Sequence, residues 1–391
     1  MQAQHKENYF LSQPHQPFFI LGIANAIIMM LIFALSYKGI LSLEINVTSF
    51  HVYSLVYLVF TNVFTGFLFT TFPRFNQAEV IQKSYYTNIF YANTLGALLF
   101  LVAAFFSSEA IIAAMSILFI SEIFIVKKMQ EIYTQGMSPD KRDSFWILSA
   151  AYFGLFAHAL FIASEFFPAL LNGAINIAFY LYLIFLAFSV GQRMIPFFSH
   201  SWAEKEPKFV AIVFGLFIFK SLFSATGITI AEIVIDLALA LFMAREFLRW
   251  ELHPFNSPSI LWVLHLALAW LPLGFLLSAI SLLAELFLGT SFYFLNIHLL
   301  ALGFLTTVLV GFGTRVTLGH SGQPPHGDAL ATKIFIFIQF VVLARMLFSI
   351  NVAFGWGLNF LFDISFTLWL LLFLVWGGRY FKTLIFGSKI S

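Results

Sequence analysis

The feature that most constrains this chain is a series of apolar runs, each as long as a bilayer is thick. A helix needs ~20 predominantly apolar residues to cross a hydrocarbon core of ~30 Å. Twelve such runs are legible: 17–37, 50–72, 85–107, 109–126, 145–166, 172–194, 208–226, 228–247, 260–284, 291–313, 331–352 and 358–378. A transmembrane barrel needs alternating strands of ~10 residues, and these runs are continuous and about twice that length. Hydrophobic residues make up 61% of the 391 and charged residues 10%. Soluble domains hold ~45–50% and ~25%, so a soluble enzyme is excluded. The expected fold is all-α: a polytopic transmembrane bundle of about twelve helices. Residues 17–381 form the membrane domain, 1–16 a polar N-terminal tail and 382–391 a short C-terminal tail. A polar stretch of sixteen residues ahead of a full-length span reads as a tail, not a cleaved signal.

Charge placement orients the bundle. With spans assigned in alternation, 17 of the 20 Lys and Arg fall on the N-terminal side, leaving Lys38, Lys220 and Arg345 on the other. Loops rich in Lys and Arg stay cytoplasmic, so both termini are expected in the cytoplasm. The connections are short, the longest cytoplasmic one being 127–144. The net charge of +2 gives no bulk field for nucleic acid. The lipid bilayer is the partner the composition requires.

A four-helix rhythm runs through the chain. Helix 2 ends in Phe72-Pro73-Arg74, helix 6 in Gly191-Gln192-Arg193 before Pro196, and helix 10 in Gly313-Thr314-Arg315. Three four-helix units would produce this spacing, and so would snorkelling arginines obeying the charge rule.

Charges inside hydrocarbon pair or line a cavity. At ~1.5 Å per residue, Lys220 in helix 7 and Asp236 in helix 8 lie at similar depth. Arg345 in helix 11 and Asp363 in helix 12 match in the same way. Two interhelical ion pairs are expected, with a proton or ion path as the functional alternative.

The chain has no Cys, which excludes disulfides, thiolate-bound zinc and iron–sulfur clusters. Any metal must be held by His, Met, carboxylate or Tyr. Of ten His, five fall in tails or loops and are expected to be solvated: His5, His15, His200, His253 and His326. The remaining five, His51, His158, His265, His298 and His320, lie in or beside spans and are candidate ligands, since neutral imidazole binds haem iron and copper. A lone His in a span is as readily a hydrogen-bonded packing residue. His158 and His298 come out at similar depth, roughly 10 Å from the outer surface at helical rise. His265 and His320 lie on the opposite side, so an outer and an inner site are compatible with the spacing. Arg193 and Arg315 are candidate anchors for an anion such as a haem propionate. After helix 10, Gly319 and Gly322 permit tight turns, so His320, Ser321 and Pro324-Pro325 are expected to form a polar cap.

At that cap the sequence resembles the NnrS family, membrane proteins tied to bacterial nitric oxide responses. The likeness covers nearly the whole chain. The family's T-R-x-x-L-G-H-[ST]-G is similar to Thr314-Arg315 through Leu318-Gly319-His320-Ser321-Gly322, with His298 upstream. Its G-R-R-x-I-P-F-F is similar to Gly191 through Phe198, its W-x-L-H to Trp262-Val263-Leu264-His265 with Trp270 following, its P-F-F to Pro17-Phe18-Phe19, and its G-F-L-x-T-x-x-P to Gly66 through Pro73. The family's W-H-A-H-E-M reads Phe50-His51-Val52-Tyr53-Ser54-Leu55 here, so a second His and a Glu are replaced by Tyr53 and Ser54. The resemblance implies haem and/or copper held by His51, His265, His298 or His320, with the helix-2 position weakened by that change. It implies a bacterial inner-membrane location, and nitric oxide or another small redox ligand as partner. A secondary transporter also fits twelve helices, but there is no long loop between helices 6 and 7. A distant haem–copper oxidase-like protein fits the rhythm, but the adjacent His-His pair of that chemistry is missing.

The orientation has a direct check. Reporter fusions after residues 80, 140 and 204 should all score cytoplasmic, and a periplasmic score at 140 would break the helix count.

Overall fold

The computed structural model describes residues 8–252 and 257–390; Lys6 of the charge count, His5 and His253 lie outside them. Twelve long helices follow one another: α1 His15–Tyr37, α2 Val47–Phe75, α3 Lys83–Ala103, α4 Ser108–Gln135, α5 Arg142–Ser164, α6 Pro168–Phe198, α7 Phe209–Thr226, α8 Thr229–Arg249, α9 Ser259–Leu288, α10 Leu295–His320, α11 Ala329–Phe354 and α12 Phe360–Phe386. Among the described residues there is no strand. Eleven of the helices are long and apolar enough to cross a membrane. The exception is α8, which carries Glu232, Asp236, Arg245, Glu246 and Arg249. The chain is a multi-pass membrane protein.

Polar caps and left-handed residues set the helix limits. Asn46 accepts from the Thr48 and Ser49 amides at the start of α2, and Asp328 accepts from the Ala331 amide at the start of α11. Each satisfies a donor that the first turn leaves open. Gly227 (φ +72°) and Gly289 (φ +64°) end α7 and α9 in the left-handed region that favours glycine.

Two expectations change at helix ends. α4 runs on to Gln135, so the expected 127–144 loop shrinks to 136–141. That turn is pinned to the end of α2: the Ser138 amide donates to the Asn76 carbonyl at 3.0 Å. A Cβ on Gly136 would lie 2.3 Å from the same oxygen, so glycine is required. α10 runs through Arg315 to His320. Gly319 is therefore helical, and the chain turns only at Ser321-Gly322, with Gly322 at φ +70°. The intervening Val316, Thr317 and Leu318 are buried and carry the helix through the expected cap.

Three helices differ from the rest. In α2, α6 and α10 the backbone widens into π-helical stretches, Ser54–Phe60, Ile177–Ile184 and Leu299–Thr306. These helices are also the most enclosed: 89%, 83% and 78% of their most apolar stretches are buried, against 28–56% for the other apolar helices. They are the same helices that end in the Arg74, Arg193 and Arg315 motifs. A π stretch leaves carbonyls without their usual partner, and polar side chains supply one. Thr61 donates to the Val56 carbonyl at 2.8 Å and Thr306 to Ala301 at 2.8 Å, each five residues back. The Leu58 carbonyl takes two amides, Asn25 from α1 and Asn62, both at 2.8 Å.

The chain divides into two compact units: Met1–Ser144 with Gly313–Pro325 and Phe373–Ser391, and Phe145–Phe312 with His326–Leu372. In the first unit a polar ladder crosses the interior. Ser121 donates to Asn93 at 2.6 Å, Asn93 to Asn62 at 2.9 Å, and Asn62 to Leu58. In the second unit, Phe185 packs on Phe214 and Phe217, and Phe217 on Phe275, beside a buried ionic cluster. There the Lys220 ammonium lies 2.7 Å from Asp236 and 2.7 Å from Glu232.

The ladder predicts its own weak point. Asn62→Leu strands the Asn93 amide and removes a donor from Leu58. A buried polar group left unsatisfied costs ~1–3 kcal/mol. Thermal unfolding in detergent should show the loss, and an unchanged melting curve would remove the ladder from the stabilising interactions.

Candidate functional site

In the second unit the most developed constellation surrounds His298. Tyr293 and Phe294 precede α10 with φ of +45° and +59°, a conformation bulky residues rarely adopt. The turn aims the Tyr293 carbonyl at α11, where Ser349 donates to it at 3.2 Å and Arg345 at 3.3 Å. Arg345 also donates to Ser349 and stacks its guanidinium 5.1 Å from the Phe348 ring and 5.8 Å from Tyr293. One more of its N–H groups faces His298 Nδ1 at 3.2 Å.

His298 Nδ1 also lies 2.8 Å from the Phe294 carbonyl. A ring nitrogen cannot donate to the carbonyl and accept from the guanidinium at once. Donation to Phe294 puts the proton on Nδ1 and the lone pair on Nε2, which is the tautomer a metal ligand requires. Acceptance from Arg345 puts the proton on Nε2 and closes that option. Arg345 keeps Ser349 and Tyr293 as partners in either state. The donor set therefore fits a ligand that is held by its second nitrogen.

His265 is placed differently. Its Nε2 is 2.6 Å from Ser199 Oγ, and Ser199 donates its own proton to the Ile195 carbonyl at 2.8 Å. Nε2–H is therefore the donor in the first contact, and a ligand role for His265 would fall to Nδ1. His158 is buried at 1% exposure in α5. Trp270 lies against the α10 π stretch, where a Cβ on Gly303 would come within 2.5 Å of the indole. Its Nε1 donates to Gln339 at 2.8 Å. Arg193 is half-buried. Beside it Lys205 donates to both oxygens of Gln192, the backbone one through a very short contact. Asp363 lies in the first turn of α12.

In the first unit His51 stacks on Phe33, ring centroids 4.0 Å apart. Tyr53 is fully buried, 4.8 Å from the Phe100 ring and 5.0 Å from Tyr57. The start of α2 is thus an aromatic layer in which Tyr53 is a packing residue.

His320, at the end of α10, has an unforeseen neighbour. The expectation that His15 is solvated in a tail is corrected: it opens α1, is 2% exposed, and its ring is 4.9 Å from that of His320. Its Nδ1 is buried with no hydrogen-bond partner among the described residues. Arg74 acts electrostatically on both rings. The sequence signal was the helix opening. Pro17 falls in the first turn, where proline is favoured, and Phe19 lies one turn on, 5.7 Å from the His15 ring. A Cβ on Gly66 would come within 3.1 Å of His15 Cα, so α2 approaches closely there.

The α10 motif divides by role. Gly313 clears space for Trp376, whose indole would be 2.7 Å from a Cβ there. Thr314 accepts the Trp376 N–H at 3.0 Å. These two positions dock α12, while Arg315 is half-buried. Among the described residues, no three His, Asp or Glu side chains gather as a metal cage.

Over residues 9–386 the chain matches the family model described as NnrS protein. It belongs to the NnrS family. Comparison with individual curated proteins gives no match. The family-like positions Gly66 and Thr314 thus coincide in this NnrS chain with close helix approaches.

Packing at Trp270 generates a prediction. Gly303→Ala should displace the indole, break its bond to Gln339 and destabilise the protein by ~1–3 kcal/mol, as overpacking does. The readouts are thermal unfolding and the Trp fluorescence maximum; no change in either would mean that the neighbouring helices yield without strain.

Proposed function

We propose that this NnrS-family chain is a haem- and/or copper-binding protein of the bacterial inner membrane, with both termini cytoplasmic, acting in the response to nitric oxide. The observation that carries the reading is the His298 imidazole, whose Nδ1 meets the Phe294 carbonyl at 2.8 Å, the tautomer in which a metal is taken at Nε2. Family membership supports the nitric oxide context. The 17-to-3 division of Lys and Arg supports the orientation.

His298 would hold the group in the second unit, and His15 and His320 offer a pair of imidazoles in the first. Arg315 and Arg193 are the half-buried cations suited to an anionic substituent such as a propionate. When bound, haem iron or copper would supply a coordination position for a small diatomic ligand. The protein's part is to fix the imidazole tautomer through Phe294 and to keep Arg345 charged beside it. The Tyr293 and Phe348 rings pack on that guanidinium and hold it in place.

The test is the optical spectrum and metal content of detergent-purified protein. Wild type should show a haem Soret band or stoichiometric copper. His298→Ala should lose most of it, and His5→Ala should keep it. Full metal content and an unchanged spectrum in His298→Ala would overturn the ligand assignment. A colourless, metal-free wild type would return the chain to the transporter reading.

A further inference from the structure

The second unit holds an ionic cluster whose charges do not cancel. Lys220 from α7 lies 2.7 Å from Glu232 Oε1 and 2.7 Å from Asp236 Oδ2, both on α8. Ser278 from α9 donates to the same Asp236 oxygen at 2.6 Å. Lys220, Asp236 and Ser278 are 0% exposed and Glu232 is 5% exposed. Two carboxylates against one ammonium leave one negative charge. In an apolar interior an uncompensated charge is strongly disfavoured.

A second observation comes from a different helix. Tyr180 belongs to the π stretch of α6 and is fully buried, with its ring centroid 5.3 Å from Lys220 Nζ. Its hydroxyl acts on Lys220, Asp236 and Glu232, and apart from Lys220 it has no hydrogen-bond partner among the described residues. Asp236 Oδ1 is likewise buried with no partner among them. An ammonium has three donors; two are taken by carboxylates, and the third is left facing the tyrosine. The cluster thus has an open acceptor, and a hydroxyl facing the ammonium, at the place where charge is unbalanced. Every titratable group acting on Lys220 there is already named: Tyr180 from α6 and Glu232 and Asp236 from α8. α9 contributes the neutral Ser278.

We propose that this cluster is a proton-binding site: it holds one exchangeable proton, shared between Asp236 and Glu232, while Lys220 stays charged. Loading forms one O–H bond on a carboxylate oxygen with a proton delivered by hydronium, leaving water; no electron moves. Unloading is the reverse. The site is separate from the imidazoles proposed to bind haem or copper and does not depend on that reading.

Infrared spectroscopy of the full-length protein in lipid nanodiscs tests this through the C=O stretch of a buried protonated carboxyl. Wild type at neutral pH should show one carboxyl's intensity that disappears in both Asp236→Asn and Glu232→Gln, because either isosteric change leaves a neutral pair with Lys220. Lys220→Met removes the cation and should raise the intensity to two carboxyls. The same intensity in wild type and both isosteric variants would overturn the proposal, showing a doubly ionised cluster. So would intensity that falls on adding sodium at constant pH, which would assign the site to a metal cation. The isosteric variants decide the question even if Lys220→Met fails to fold.

Discussion

Every backbone N–H and C=O that enters the hydrocarbon must find a partner within the protein, and the rest of this structure depends on how that demand is met. Helices meet it within a segment, which is why the chain is a run of twelve. The demand is hardest to meet where a helix departs from regularity. The three π stretches lie in α2, α6 and α10, the most enclosed helices. In α2 and α10 the loosened carbonyls are taken up by Thr61, Thr306, Asn25 and Asn62. Polar side chains that look out of place in apolar runs are therefore partners for the backbone. The Asn ladder extends the same function across helices, tying α2 to α3 and α4 through Asn93 and Ser121.

Buried charge is handled by the same logic, with a different answer at each position. Arg345 meets a hydroxyl, a carbonyl, an imidazole and two aromatic faces, contacts that suit a planar, weakly hydrated cation. Glu246, 3% exposed, accepts from Arg249, from the Trp250 indole and from the Glu206 backbone amide, tying the connection after α6 to the end of α8. Lys220 faces two carboxylates, one more than neutrality requires. That excess sets it apart from a simple structural ion pair.

Much of the architecture was legible in the residues. All twelve helices lie where the apolar runs place them, and the four-helix spacing of Arg74, Arg193 and Arg315 coincides with the spacing of the π stretches. The depth match of Lys220 and Asp236 corresponds to a 2.7 Å contact, but Glu232 was not anticipated. It lies one helical turn before Asp236 and so shares its face. The site was less legible. Helical rise gives depth and says nothing about which way an imidazole points or which of its nitrogens is engaged. His265 and His298 are equivalent as letters. Ser199 takes Nε2 of the first, and the Phe294 carbonyl meets Nδ1 of the second.

Composition and periodicity by themselves determined that the chain crosses a membrane many times, because no other environment accepts so much continuous apolar surface. They determined the number of helices and the NnrS likeness carried by short ordered motifs. Tertiary structure decided what those motifs do. Gly313 and Thr314 turn out to receive Trp376, and Gly303 to receive Trp270, because a glycine's value lies in what approaches it. His15, assigned to a tail by its polar surroundings, became a buried partner of His320 because α1 starts earlier than its apolar run. A run marks where side chains prefer lipid, whereas a helix continues for as long as its backbone and its neighbours allow.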